Sequence, residues 1–359
     1  MRLPMPFRSS QEPAGPRLSD LLSPGGLPTG IGSLPHTDPA PAVDAVLRHL
    51  PEIPFWPQLP RRSPLEGMVP QYVEGFPVGD DLRLPDAEEG VRGLERFYER
   101  VLAGDLEAFG LSPKRSPGFY ALERRLVQDP PRDLRCVKAH VTGPVTLASS
   151  IKDPAGREAL HDDGFRDALG QLAAQKALWQ VRRLARLGKP VIVFLDEPVM
   201  EVYGSAYSSL SREMVLDLWR PTLEALESED AWVGIHCCGN TDWGLLFESG
   251  AHIVNFDAFH FLEKMLLYPR EAQAFLDRGG VIAWGIVPTS PEARDVTAED
   301  LCRRLEEAMA RFAQAGVDPE ALRAGCLVTP SCGMGSLDEP LAEHILGLLE
   351  ETSARFRAG

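Results

Sequence analysis

Residues 233–243 read VGIHCCGNTDW, with one histidine and two adjacent cysteines where an apolar run gives way to a turn. Along a strand, side chains two residues apart share a face. His236 and Cys238 therefore point the same way, and Cys237 points opposite, to be packed between strand and helix. Neighbouring cysteines cannot bridge without severe strain. In a reducing compartment, clustered thiols read as metal-binding or catalytic rather than as a disulfide. Two more residues stand at equivalent places: Asp257 closes the run HIVNFD, and Cys332 follows in CLVTPSCG. One imidazole, two thiolates and a carboxylate or an open fourth position make a tetrahedral zinc site of the catalytic type. Against this stands the commonness of buried free cysteine and of an incidental His-x-Cys. The agreement of three separate strand ends favours the metal.

Those residues need an architecture that gathers distant strand ends. Apolar runs at 29–34, 53–57, 136–141, 191–195, 232–237, 253–256, 281–286 and 326–329 are strand candidates. Between the later ones lie amphipathic helices. In 164–187, Leu169, Leu172, Ala173, Ala177, Val181 and Leu184 fall on one face, and Gly188 stops the helix. Thr297 is the expected N-cap of another, with Leu301, Leu305, Ala308 and Phe312 as its buried stripe and Gly316 at its end. Eight strands alternating with helices predict an α/β fold, a (β/α)8 TIM barrel, whose C-terminal strand ends meet at one mouth. A doubly wound open sheet is the alternative. Residues 58–134, rich in proline and charge, are an insertion after the second strand, a lid or flank with a helix near 91–102. Residues 1–27, with five prolines and three glycines, are expected to be a flexible leader, and 28–359 one catalytic domain.

Composition narrows the function. A formal charge of −15 argues against a nucleic-acid partner. No apolar run approaches the roughly 18 to 20 residues of a membrane span, and no signal-type segment opens the chain. The expected location is cytoplasmic. His140 and His161 read as surface or core histidines, and Cys136, Cys302 and Cys326 as small core residues. Trp56, Trp243 and Trp284 are expected to pack, with Trp56 and Trp284 near enough to strand ends to line the mouth.

At these residues the chain resembles the superfamily that joins uroporphyrinogen decarboxylase to cobalamin-independent methionine synthase, most closely the catalytic C-terminal barrel of the synthases. The likeness runs over most of 28–350. GIGSLPHT (30–37) resembles the first-strand segment whose Ile-Gly-Ser backbone and hydroxyl hold an amino acid substrate, here Ile31, Gly32 and Ser33. HVTGPVTLA (140–148) resembles the third-strand segment. FLDEPVM (194–200) resembles the Asp-Glu-Pro motif, which implies that Asp196 binds the substrate ammonium. IHCCG, NFD and TPSCG fall where the family has its zinc ligands, implying His236, Cys238, Asp257 and Cys332. Glu66, in SPLEGMV, is a second candidate for the amine; Glu197 is expected to support its loop. The chemistry implied is methyl transfer to a homocysteine-like thiol activated by Zn2+.

Three departures shape that expectation. The family's fourth ligand is glutamate, and Asp257 is one methylene shorter. The family's catalytic histidine, in an Asp-x-His context after the seventh strand, is replaced in WGIVPTS by Val287 or Pro288, while His260 lies on another loop. The N-terminal barrel that helps bind a folate donor has no counterpart. The thiol-activating half is kept and the folate-handling half lost. The expected methyl donor is therefore a methylcorrinoid, free or protein-bound, rather than methyltetrahydrofolate. Two rivals remain: a decarboxylase, disfavoured because GSLPHTDP lacks the arginines that clamp a polycarboxylate and because the chain is acidic, and a non-catalytic zinc- or partner-binding barrel.

Overall fold

The computed structural model describes residues 18–359 apart from 80, 207 and 228. The strands are β1 (Leu27–Pro28), β2 (Val137–Thr142), β3 (Val191–Asp196), β4 (Ala231–Cys237), β5 (Ile253–Phe256), β6 (Val281–Val287) and β7 (Leu327–Pro330). Among the described residues they form one parallel sheet in the order β1-β7-β6-β5-β4-β3-β2. The sheet curls, and helices cover its outer face. The fold is thus α/β, with strands and helices alternating as expected.

The sheet has seven strands where eight were predicted. The difference lies in the first two runs. Residues 29–34 and 53–57 do not form ladders; they are linked by isolated bridges, Ser33 to Gln58 and Phe55 to Lys138 of β2. Pro54, Pro57 and Pro60 carry no amide hydrogen, so a regular ladder cannot run through this stretch. The segment is still tied to its neighbours by single hydrogen bonds. Lys138 N donates to Pro54 O at 2.8 Å, Gln58 N to Gly32 O at 2.9 Å, and Thr29 Oγ1 to Ile53 O at 2.9 Å.

Alternation sorts the side chains into two sets. Leu27, Ile53, Ile192, Phe194, Ile253, Val281, Ala283 and Leu327 form one buried cluster on the inner face. The odd partners, among them Val191, Val193 and Leu195, join the larger core beneath the helices. Gly234 makes room within the inner set, because a Cβ there would meet the Phe194 ring at 2.5 Å.

Of the leader expected over 1–27, residues 1–17 lie outside the described residues, and the rest is packed. Helix α1 (Leu18–Leu22) buries Leu18 and Leu22 against the inner cluster at the strand starts. Glycine here serves close approach: at Gly25, with φ +91°, a Cβ would lie 1.8 Å from the Arg323 carbonyl oxygen. Arg135 ties the segment down by donating to Ser23 O at 2.6 Å.

The chain continues through α2 (Pro39–His49), α3 (Ala87–Leu102) and α4 (Pro117–Gln128), the last two within the insertion. Then come α5 (Pro144–Ser150) and α6 (Asp163–Leu184), and the α6 region ends at Gly188 in the left-handed conformation as its sequence requires. Next are α7 (Arg212–Leu226), α8 (Trp243–Glu248), α9 (Ala258–Met265) and α10 (Pro269–Asp277). The last three are α11 (Ala298–Gln314), α12 (Pro319–Ala324) and α13 (Glu339–Ala358). Thr297 and Asp300 form the full capping box of α11.

The insertion packs as a flank through aromatic contacts, Phe76 and Phe109 each edge-on to Phe97 at 5.4 Å and Phe119 against Trp179 of α6 at 5.1 Å. It also reaches the end of β2. Thr142 Oγ1 donates to Met68 O at 2.7 Å, and Tyr72 Oη to His140 O at 2.9 Å.

Candidate metal centre

At the C-terminal ends of β4 and β7 the fold brings His236, Cys238 and Cys332 together, with one ligand atom from each within 4.8 Å of the others. Strand alternation explains the first two: His236 and Cys238 face inward, while Cys237 is fully buried in the outer core with its Sγ near Gly239 O at 3.6 Å. Cys332 arrives on the loop that follows β7. That loop is fixed at both ends. Ser331 N donates to Val287 O at 2.8 Å, and Met334 N donates to Ser33 O at 2.9 Å.

The imidazole is oriented by a residue the sequence reading did not single out. Asn255 sits opposite His236 in the β4–β5 register. Its amide nitrogen donates to Ala283 O at 2.9 Å and Thr329 Oγ1 at 2.8 Å, which leaves its oxygen to accept from His236 Nδ1–H. The other ring nitrogen, Nε2, is buried without a hydrogen-bond partner. An imidazole held by an Nδ1–H bond with a free Nε2 lone pair is the form that ligates metal.

Protonation of the trio is mutually coupled. A hydrogen bond from Cys238, with help from the Gly333 amide, holds the Cys332 thiol below its usual range against burial. The same contact, with burial, pushes Cys238 up, opposed by His236. For His236, burial favours the neutral ring, but Cys238, Asp196 and Asn255 together raise its pKa. These groups share protons where a divalent ion could sit. One nitrogen and two sulfurs, with a buried orphan Nε2, fit a soft or borderline divalent metal.

Asp257 is not brought into this group. It caps α9, with Oδ1 accepting from His260 N at 2.9 Å and Oδ2 paired with His260 Nδ1 at 2.7 Å. Each oxygen of the expected carboxylate ligand thus carries one bond to His260, while its charge still acts on Cys332. His260 in turn reaches Glu292, on the turn after β6, at 3.2 Å. Burial opposes the charged ring, and Asp257 and Glu292 outweigh it to raise the His260 pKa. Val287 and Pro288, the two residues that stand where the resemblance implied a histidine, are both buried at the end of β6.

Asp196 ends β3 in register with both Thr142 and His236, so its side chain shares their face. It is buried, and its Oδ1 has no partner. Burial raises its pKa, moderated by His236 and Lys138. Lys138 is fully buried on the same face, Nζ donating to Ile31 O at 2.5 Å and lying 4.2 Å from the centre of the Phe194 ring. It anchors the carbonyl of the first residue in the Ile31–Gly32–Ser33 segment. Ser33 Oγ accepts from Gly335 N at 3.1 Å, and a Cβ at Gly333 would lie 2.3 Å from that oxygen. The Cys332 loop and the Ser33 segment are therefore in direct contact.

Two carboxylates have settled structural partners. Glu66 is fully buried, bonded to Leu59 N at 3.2 Å and ion-paired with Arg62. Glu197 accepts from Val145 N, Thr146 N, Thr146 Oγ1 and Trp219 Nε1 at 2.7–3.0 Å, holding the start of α5 as expected. Burial pushes its pKa up to about 7 despite those four donors. Trp284, expected near the mouth, packs outward against Phe256 and Phe312. His140 is neither exposed nor satisfied: it is buried, and both ring nitrogens lack partners.

No protein-family model matches this chain, and no curated protein does. Among the described residues, no helix is long and apolar enough to cross a membrane.

Proposed function

We propose that the chain is a zinc-dependent methyltransferase that transfers a methyl group to a homocysteine-like thiol, with a methylcorrinoid as donor. The observation that carries this is the cluster of His236, Cys238 and Cys332, three ligands beside a buried aspartate with a free oxygen. Three protein ligands, with no fourth grouped with them among the described residues, correspond to a catalytic zinc site rather than a closed structural one. Zinc bound there lowers the pKa of a coordinated thiol, so that a thiolate exists at neutral pH. Asn255 and the β7 loop orient the ligands. In this reading Asp196, in register with His236, accepts the substrate ammonium. The Ile31–Gly32–Ser33 backbone, braced by Lys138 and Gly335, is offered to the other end of the amino acid.

In this reading residues 53–57 act as the eighth stave of a closed (β/α)8 barrel, sparsely bonded because of its prolines. The donor assignment rests on Val287 or Pro288 standing where a folate-assisting histidine was expected. Two histidines reach the turn after β6, His260 through Glu292 and His344 through Ala293 O.

The test is zinc content together with proton release. The protein should hold one equivalent of zinc and release about one proton when homocysteine is added. Cys238→Ser should abolish both. In single turnover, methylcobalamin should yield methionine; efficient turnover with methyltetrahydrofolate instead would reverse the donor assignment.

A further inference from the structure

Burying an imidazole with neither nitrogen bonded is costly unless a ligand completes it. His140 is 1% exposed, and neither Nδ1 nor Nε2 has a hydrogen-bond partner. On β2 it lies two residues from Lys138 and two from Thr142, so it shares their inward face. Thr142 is in register with Asp196, which places His140 one inward step below the free Asp196 oxygen on the adjoining strand.

The ring is held with unusual care for a group that bonds to nothing. It stacks on Trp56 with centroids 3.9 Å apart and planes 19° from parallel. Trp56 is fixed in turn by Gln180 Oε1 at 2.8 Å, and Gln180 Nε2 donates to the His140 carbonyl at 3.0 Å. Opposite lies Gly32. A Cβ there would come within 2.9 Å of the ring's Nδ1 and 3.0 Å of its Nε2, so only glycine lets the 31–33 backbone pass this close. Burial, and Lys138 beside it, hold the imidazole well below its usual pKa, so it is neutral, with one N–H donor.

We infer that His140 is a substrate-binding residue that donates a ring N–H to the carboxylate of the amino acid thiol where that carboxylate meets the Gly32 backbone. The inference rests on the thiol-methylation reading and deepens it by adding a side chain that reads the acceptor's carboxylate. With Asp196 facing the ammonium, the carboxylate is the charged end that remains. The neutral ring receives it beside Lys138, whose positive charge favours an anion on this face.

Calorimetry on the zinc-loaded protein decides this, with homocysteine compared against 3-mercaptopropylamine, which has the thiol and amine but no carboxylate. The wild type should prefer homocysteine by about tenfold or more. His140→Phe, which keeps the stack on Trp56 but removes the N–H, should erase that preference and leave 3-mercaptopropylamine binding unchanged. His140→Gln should retain part of it, and His140→Leu replaces the Phe variant if that one does not fold. Equal weakening of both thiols, or an unchanged preference for homocysteine, overturns the inference and leaves the methylation reading standing. A zinc-loaded wild type that binds neither thiol overturns both.

Discussion

Asn255 stands directly across the β4–β5 ladder from His236, and its side-chain oxygen accepts the Nδ1–H of that histidine. Because its amide nitrogen is held by Ala283 O and Thr329 Oγ1, the amide has one satisfied orientation, and the imidazole has one satisfied tautomer. Removing that partner should loosen the ring without removing a ligand. Asn255→Leu is expected to weaken zinc binding by about 10–100-fold, with one equivalent still bound at saturation. Competition with a chromophoric chelator measures this; unchanged affinity would mean that Asn255 serves packing alone.

The adjacent cysteines should behave oppositely. Cys238→Ser and Cys332→Ser each remove a sulfur from the cluster and should abolish tight zinc binding. Cys237→Ser places a hydroxyl in the apolar outer core, where burial already pushes its own thiol up. That variant should keep its zinc and lose roughly 1–3 kcal/mol of stability. Metal analysis of the three, beside urea melts, separates ligand from core; zinc loss in Cys237→Ser would reverse the assignment.

Much of this was legible because strand alternation is a strict rule. The parity of His236 and Cys238, and the outward turn of Cys237, follow from two-residue spacing alone. The same rule applied to VKAHVT would have put Lys138, His140 and Thr142 on the inner face, and applied to IVNF it would have singled out Asn255. A role for them does not follow from that placement, because a polar side chain within a strand signals nothing until its neighbours are known. The partners of Glu66 and Asp257 are hidden from the sequence for a related reason. Whether a carboxylate is free depends on Arg62 or on the His260 turn, which are close in sequence but become partners only through local geometry. In the described part of the leader, 18–27, Pro24, Gly25 and Gly26 suit a tight pass beside Arg323, a use that their residue types do not distinguish from an open segment.

Asp196 offers a buried oxygen with no partner, in register with His236. If it receives an ammonium, Asp196→Asn should weaken homocysteine binding by about 10–100-fold, the scale of one lost charge-assisted hydrogen bond. Binding of 4-mercaptobutanoate, which lacks the amine, should be unaffected. Zinc content should stay at one equivalent. Equal losses for both thiols would assign Asp196 to the metal site rather than to the amine.

The insertion gives a pH-dependent prediction independent of the metal. Lys176 of α6 is fully buried and donates to two insertion carbonyls, Glu74 O at 2.7 Å and Gly110 O at 3.3 Å. Burial lowers its pKa to about 7 from 10.5, against the pull of Glu74. Between these values the unfolded chain binds a proton that the folded protein has released, so stability rises with pH. The gain starts as pH passes through about 7. From pH 7 to 8.5 it should amount to roughly 1–2 kcal/mol from this one group. Lys138, lowered to about 8 by burial, adds to the same trend. Glu197, raised to about 7, opposes it. Comparing the wild type with Lys176→Met cancels those two contributions. Urea midpoints should rise across this window more steeply in the wild type than in the variant. Parallel curves would mean that Lys176 stays protonated at both pH values and holds the insertion as a cation.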